Sequence, residues 1–233
     1  MGNVLITGGT AGIGRACVER FLDAGSRVTV LARHRGDLPE LPGLTFIPVD
    51  LSAIEGIRSL PRQTGPVDVL INNAGVLNGL AYDAYDEAHR RRILALNLEA
   101  PVELMRWYGP LMAEAGGGRI VNVASHCAFN WHPDIWYAMT KAALVSATRS
   151  FAEILGGQGV AVNAVAPGPV GTAMAEGPVY AGRFERIVRQ TVSGRMCQAA
   201  EAAEVIFWLA GQAPAYLTGE TIVLNNGAFS LPK

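Results

Sequence analysis

Ser125, Tyr137 and Lys141 have the types and the spacing of an acid–base site. Tyr137 and Lys141 lie four residues apart in WYAMTKAALVSATRSF, where Ala142, Leu144, Val145, Thr148 and Phe151 recur at helical steps. The phenol and the ammonium therefore project from one helix face, one turn apart. Ser125 ends the Val- and Ile-rich run RIVNVAS, which reads as a buried strand. It then lies at the rim of a parallel sheet, where ligands of open α/β sheets bind. A phenol gives or takes a proton, a nearby ammonium favours the phenolate, and a hydroxyl donates to an oxygen gaining charge. Asn97, between Leu96 and Leu98, is a polar amide in an apolar surround and must find partners. It reads equally as a bend or cap in a helix and as a further member of the site. His126 and Cys127 follow Ser125 directly and read as pocket lining.

A second constellation points to a bound nucleotide. Residues 3–7 (NVLIT) read as a buried strand running into Gly8-Gly9-Thr10-Ala11-Gly12-Ile13-Gly14 and then an amphipathic helix. At such a helix start, backbone N–H groups face a phosphate and glycine lets the backbone come close. The spacing is GxxxGxG and not GxGxxG, and a turn serving strand-to-helix packing alone is the other reading. Gly8, Thr10, Gly12, Ile13 and Gly14 are the expected contacts. Past the second strand, residues 27–32, stand Arg33, His34 and Arg35 where an acid would repel a 2′-phosphate. Arginine suits that phosphate, so NADP(H) is expected over NAD(H), with Arg33 the main contact, His34 a weaker one and Arg35 a solvated turn residue.

Further contacts follow the strand ends. The third strand, 44–49, closes at Asp50-Leu51, where Asp50 suits the adenine amino group or a helix start for which Ser52 competes. The fourth strand, 67–71, leads into Asn72-Asn73-Ala74-Gly75, whose small residues let a cofactor lie against the backbone. The Asn pair is equally suited to tying strands together. After a sixth strand, 159–165, Pro167, Gly168, Val170 and Thr172 are placed to bracket a nicotinamide carboxamide.

Strands alternate with helices along all 233 residues, without linker, repeat or low-complexity tract. One doubly wound, Rossmann-type α/β domain is expected over 1–233, with about seven parallel strands between helices. Residues 173–195, broken by Gly177, Pro178, Gly182 and Gly194, read as a helical lid over the substrate. Residues 82–116 read as mainly helical, with Pro101 near a kink or a start. Val102, Leu104, Met105 and Leu111 there suggest an oligomer interface.

Composition narrows the partners. Charged residues make up 17% and hydrophobic ones 50%, so a folded core is expected. A net charge of −1 argues against nucleic acid, and no apolar run approaches the roughly 18 residues of a membrane span. Cys17, Cys127 and Cys197 are odd in number and lack metal spacing. The chain enters a strand at once, leaving no room for a secretory leader. A cytoplasmic protein with no metal and no membrane partner is the expectation.

Together these motifs resemble the short-chain dehydrogenase/reductase family over essentially the whole chain. The likeness rests on TGGTAGIG from Thr7, DL at Asp50, NNAG from Asn72, Asn97, NVAS ending at Ser125, YAMTK from Tyr137 and PGPVGT from Pro167, in that order. It implies hydride transfer with a nicotinamide cofactor, Tyr137 as general acid/base, Ser125 and Lys141 as its partners and Asn97 as the fourth member. It also implies a homodimer or homotetramer. A small ketone or ketoacyl-type substrate is expected, against Ser125, Cys127, Trp131, Tyr137 and Met174, with His132, Trp136, Tyr180 and Phe184 shaping the pocket. The oxidative direction on an alcohol, a non-catalytic NADP(H) sensor, and an offshoot without nicotinamide are the alternatives. Intact Tyr137, Lys141 and glycine turn weigh against the last two. Three features depart from the family pattern: short second and third helices, a Ser125–Tyr137 spacing one residue tighter than is common, and Asn225-Asn226-Gly227 in place of an acid and two glycines.

Overall fold

In the computed structural model, which describes residues 2–80, 82–176 and 184–228, Val4, Leu5 and Ile6 are all buried. Strand β1 (Asn3–Thr7) is thus covered on both faces, as a parallel sheet between helices requires. It pairs in parallel with β2 (Arg27–Ala32) and β4 (Val69–Asn72). The other strands are β3 (Leu44–Pro48), β5 (Gly118–Val123), β6 (Val160–Pro167) and β7 (Thr221–Leu224), in the seven-stranded order β3-β2-β1-β4-β5-β6-β7. Every pairing is parallel, so the expected doubly wound architecture is present. The strand order reverses between β1 and β4, which opens a crevice at their carboxyl ends.

Side-chain alternation along β1 assigns the two faces. Val4 and Ile6 meet Phe21 of α1 (Gly12–Asp23) and Ile206 and Phe207 of α7 (Ala199–Gly211), with the Phe rings 5.1 Å apart. Leu5 and Leu70 meet Leu104, Met105 and Tyr108 of α4 (Ala100–Glu114) and Leu144 of α5 (Ile135–Gly156). Each such large side chain contributes roughly 1.5–3 kcal/mol by its burial. Three shorter helices, α2 (Leu60–Thr64), α3 (Glu87–Leu94) and α6 (Phe184–Arg189), complete the described set.

The mainly helical run expected over 82–116 is present from Glu87 to Glu114. α3 passes through a π-helical turn (Ala95–Glu99) into α4, and Asn97 sits buried within that turn. Pro101 lies in the first turn of α4, where its missing N–H costs nothing, and a second proline, Pro110, lies inside the helix. The apolar surface assigned to α4 also needs correction. Leu104 and Met105 are buried core residues, while Trp107 and Leu111 stand exposed, joined by Met139 and Ile154 on α5. Among the described residues, no helix is long and apolar enough to cross a membrane.

Candidate active site

α5 carries two of the site residues because its first turn is well capped. Asp134 has extended backbone and its carboxylate accepts from the N–H of Tyr137 at 2.9 Å. One turn on, the Lys141 Nζ lies 5.7 Å from the centre of the Tyr137 ring and donates to the Val123 carbonyl at 2.8 Å. α5 is thereby pinned to the last residue of β5. Burial lowers the Lys141 pKa to about 8, and the Cys127 thiol opposes it only in part. Ser125, two residues past β5, caps the short 3₁₀ turn His126–Ala128, its Oγ accepting from Cys127 N–H at 3.4 Å.

Asn97 joins this group from behind. Its Oδ1 accepts from Val76 N–H at 2.8 Å, and its Nδ2 donates to the Val76 carbonyl at 2.9 Å and to Thr140 Oγ1 at 3.4 Å. It sits buried in the π-helical turn and fixes the segment after β4, and it is not among the residues lining the cleft. Gly75 passes between the polar groups. A Cβ there would lie 3.4 Å from Asn97 Oδ1 and 3.6 Å from Lys141 Nζ.

Ser125, Tyr137 and Lys141 open into one cleft of about 720 Å³. Gly8, Gly12, Ile13, Asn73, Ala74 and Gly75 line it from the strand ends, and Pro167, Gly168, Val170 and Thr172 from the segment after β6. The remaining wall holds His126, Asn130, Trp131, His132, Met174, Gln190 and Met196. Among the described residues, Lys141 is the one lysine lining the cleft, and no arginine or carboxylate joins it there.

The glycine turn fits a dinucleotide phosphate. α1 has Ala11 at its N-cap and no side-chain cap bond, so its first N–H groups face the cleft. Gly8 has φ +67°, and a Cβ on Gly14 would stand 2.2 Å from the Gly8 carbonyl oxygen, so both positions need glycine. The Thr7 hydroxyl accepts from the N–H groups of Asn73 and Ala74, both at 2.9 Å. Asn73 in turn donates its amide to the carbonyls of Thr7 at 3.0 Å and Gly8 at 3.1 Å. Its side chain therefore shapes the turn, while Asn72 ties β4 to Asn122 of β5 at 2.8 Å.

Other expected contacts lie outside the cleft wall. Thr10 and Gly14 support the turn, and Leu51 is buried beneath the helices of the other face. Arg33 and His34 are exposed beyond β2. Asp50 Oδ1 accepts from the N–H and hydroxyl of Ser52, at 3.0 and 2.7 Å, so aspartate and not serine organises that turn. Those bonds lower its carboxyl pKa, and the charges of Arg33 and Arg92 assist. Arg92, from α3, thus reaches the same end of the sheet as Arg33, which its place in an arginine run on a remote helix did not reveal. Arg35 is not a solvated turn residue: its guanidinium donates to the Leu38 and Pro39 carbonyls at 3.0 and 3.1 Å.

On the substrate side, Trp131 and Met174 line the cleft but Cys127 does not. Cys127 is buried against Ile93 and Tyr137, and burial pushes its thiol pKa up. Trp136 turns away to Tyr85, with ring centres 6.2 Å apart, and the Arg90 guanidinium lies over it. Of the expected lid, Ala173–Glu176 and α6 are described. Tyr180 and the Phe184 side chain lie outside the described residues. Gln190, Met196 and Ala228, which also line the cleft, carry no motif and were missed. Among the described residues, no group of His, Cys, Asp or Glu is arranged to hold a metal.

Comparison with known proteins places this site in a family. A family model described as Enoyl-(Acyl carrier protein) reductase matches residues 8–228. Acetoacetyl-CoA reductase of Rhizobium meliloti is 29% identical over 238 residues, covering 97% of each chain. The 3-oxoacyl-[acyl-carrier-protein] reductase FabG of Thermotoga maritima is 31% identical over 236 residues, covering 96% of each. A solved structure from Beutenbergia cavernae, assigned as an NAD(P) dependent gluconate 5-dehydrogenase and holding NADP at low occupancy, superposes with a TM-score of 0.90. It is 30% identical and covers 98% of this chain and 97% of its own. The chain belongs to the short-chain dehydrogenase/reductase family, and it is an oxidoreductase of that kind.

Proposed function

We propose that this protein reduces the carbonyl of a ketone or ketoacyl-type substrate with NADPH, Tyr137 acting as the general acid. The observation that carries the reading is the opening of Ser125, Tyr137 and Lys141 into the same cleft as an uncapped, glycine-lined helix start. The reductases among its relatives act on substrates of this type, and a related structure holds NADP.

Gly8, Gly12, Ile13 and the α1 N-terminus would hold the pyrophosphate, Arg33 the 2′-phosphate, and the segment 167–172 the nicotinamide end. Bound NADPH supplies the hydride that converts the carbonyl carbon to an alcohol carbon. The chain's own residues manage the oxygen. Ser125 donates to it as charge develops, and Tyr137 delivers the proton that makes the hydroxyl. Lys141 has one donor on the Val123 carbonyl, which leaves two for ribose hydroxyls, and its positive charge favours the phenolate formed at each turnover. Asn97 holds the backbone of Val76 and, through a water, would pass a proton outward. We assign the whole chain to one domain, with the segment 173–195 closing over the substrate. We further assign a homo-oligomer, its contact made by the exposed apolar side chains of α4 and α5.

The deciding experiment is a titration with NADPH and with NADH, followed by the fluorescence of the reduced nicotinamide. NADPH oxidation is then recorded with acetoacetyl-CoA and a panel of simple ketones. Tight NADPH binding, weaker NADH binding and turnover of a ketone are expected. Failure of both nucleotides to bind would defeat the proposal.

A further inference from the structure

Asp134 is fully buried, and the chemistry above makes no use of its charge. Its carboxylate faces donors. The Tyr85 hydroxyl lies 2.7 Å from both Oδ1 and Oδ2, the Gly79 N–H lies 3.3 Å from Oδ2, and the Tyr137 N–H lies 2.9 Å from Oδ1. A carboxylate accepts all of these, whereas a carboxylic acid would aim its own O–H at one of them. Burial and the adjoining carboxylate raise the Tyr85 pKa, so that this phenol stays a donor. The donors come from two parts of the chain. Gly79 and Tyr85 belong to the stretch between β4 and α3, and Tyr137 to α5. An ordinary N-cap satisfies its own helix; this one also ties the catalytic helix to a segment 49 residues away.

We propose that Asp134 is a positioning residue for Tyr137: its buried carboxylate clamps the tyrosine's helix to the segment 79–85, and its negative charge holds the phenol in the protonated, proton-donating form. The assignment rests on Tyr137 being the proton donor of the proposed function. The Tyr137 side chain packs with Cys127 and Tyr85, meets the His132 ring and lies near the Lys141 ammonium, while Asp134, at the N-cap, holds its backbone N–H. Asp134 is the one carboxylate in this set. Nearby, the Cys127 thiol is pushed up chiefly by its burial, drawn down by the Ser125 hydroxyl and Lys141, and pushed up a little further by Asp134. Lys141 favours the phenolate and Asp134 opposes it, so the pair brackets the acid strength of Tyr137. A reductase that must donate a proton to each substrate oxygen gains from a phenol kept protonated between turnovers.

The test is a spectrophotometric titration of phenolate absorbance on the full-length protein, with the corresponding Tyr137→Phe protein subtracted from each variant. Asp134→Asn keeps a side chain that caps well and removes the charge. It is expected to lower the Tyr137 midpoint by about one pH unit. Tyr85→Phe keeps the charge and loosens the clamp. Its midpoint should stay at the wild-type value, while kcat falls and the KM for NADPH is unchanged. A wild-type midpoint in Asp134→Asn overturns the electrostatic role, and wild-type kcat in Tyr85→Phe overturns the clamp. Because the titration needs no turnover, a wild-type protein inactive on every ketone would defeat the proposed function and the clamp's link to kcat, and still leave the electrostatic role of Asp134 decided.

Discussion

At the scale of single residues, the site depends on a few groups whose removal has separable consequences. Tyr137→Phe removes the donated proton but neither the cleft nor the Lys141 anchor. Turnover should fall roughly a hundred- to ten-thousandfold while NADPH binding persists, as rate and fluorescence titration would show. Near-normal turnover would remove Tyr137 from the mechanism. Arg33→Ala should weaken NADPH about ten- to a hundredfold and leave NADH nearly unchanged, since one charge-assisted contact to the 2′-phosphate is lost. Equal weakening of both would transfer that role, with Arg92 the next residue to replace. Lys141 supplies a third expectation. Its pKa is about 8 in the folded protein against the ordinary lysine value of 10.5. Between these values the unfolded chain holds the proton and the folded chain does not, so this group makes the protein without cofactor more stable as pH rises through the window. Urea unfolding of wild type and Lys141→Met should therefore differ by a pH-dependent term of a few kcal/mol, on the order of 3. That difference should grow in favour of wild type from about pH 8 to 10.5, and a flat one would show that the ammonium is better solvated than its burial implies.

At the scale of elements, what could be read from the sequence followed from local chemistry. The periodicity around Tyr137 placed it and Lys141 on one helix, and the glycine run placed an open helix start after β1. Both depend on residues within a few positions of each other. The π-helical turn at Asn97 was not legible in the same way, because it reflects a distant demand. The amide must meet both backbone groups of Val76, 21 residues away, and the extra residue in the turn lets it do so. The same holds for Arg92, for Gln190 and for the clamp between Tyr85 and Asp134, which pair elements that only the sheet order brings together. The glycine turn offers the sharpest test at this scale. Gly14→Ala would place a methyl 2.2 Å from the Gly8 carbonyl oxygen, against backbone that cannot yield cheaply. It should cost roughly 1–3 kcal/mol in thermal or urea unfolding and abolish NADPH binding. A control at Gly56, where a Cβ meets nothing within 4 Å, should cost much less and bind normally. Full NADPH affinity in Gly14→Ala would mean that the turn tolerates rearrangement and is not the phosphate cradle.

At the scale of the whole molecule, the helices α4 and α5 carry exposed apolar side chains as well as buried ones. The inner faces of α4 and α5 enter the core through Leu104, Met105, Tyr108 and Leu144. Their outer faces expose Trp107, Leu111, Met139 and Ile154, with Ile154 62% and Met139 55% accessible. Composition alone could not separate these sets, and the reading of α4 as an interface included two residues that belong to the core. Single exposed apolar residues are ordinary, but four on adjacent helices suit a second copy of the chain, which would extend each core outward. α5 is also the helix of Tyr137 and Lys141, so a partner packed on it would stiffen the element that sets the phenol's position. Leu111→Glu combined with Ile154→Glu replaces apolar contact with like charges facing each other across a two-fold axis. Sedimentation should then report a smaller species than wild type, with helical circular dichroism retained because neither side chain lies in the core. The lower-mass form should keep NADPH binding, whose proposed contacts do not include Leu111 or Ile154, and lose part of its kcat through a less rigid α5. Unchanged sedimentation would move the interface off this face, and wild-type kcat in the smaller species would separate assembly from catalysis.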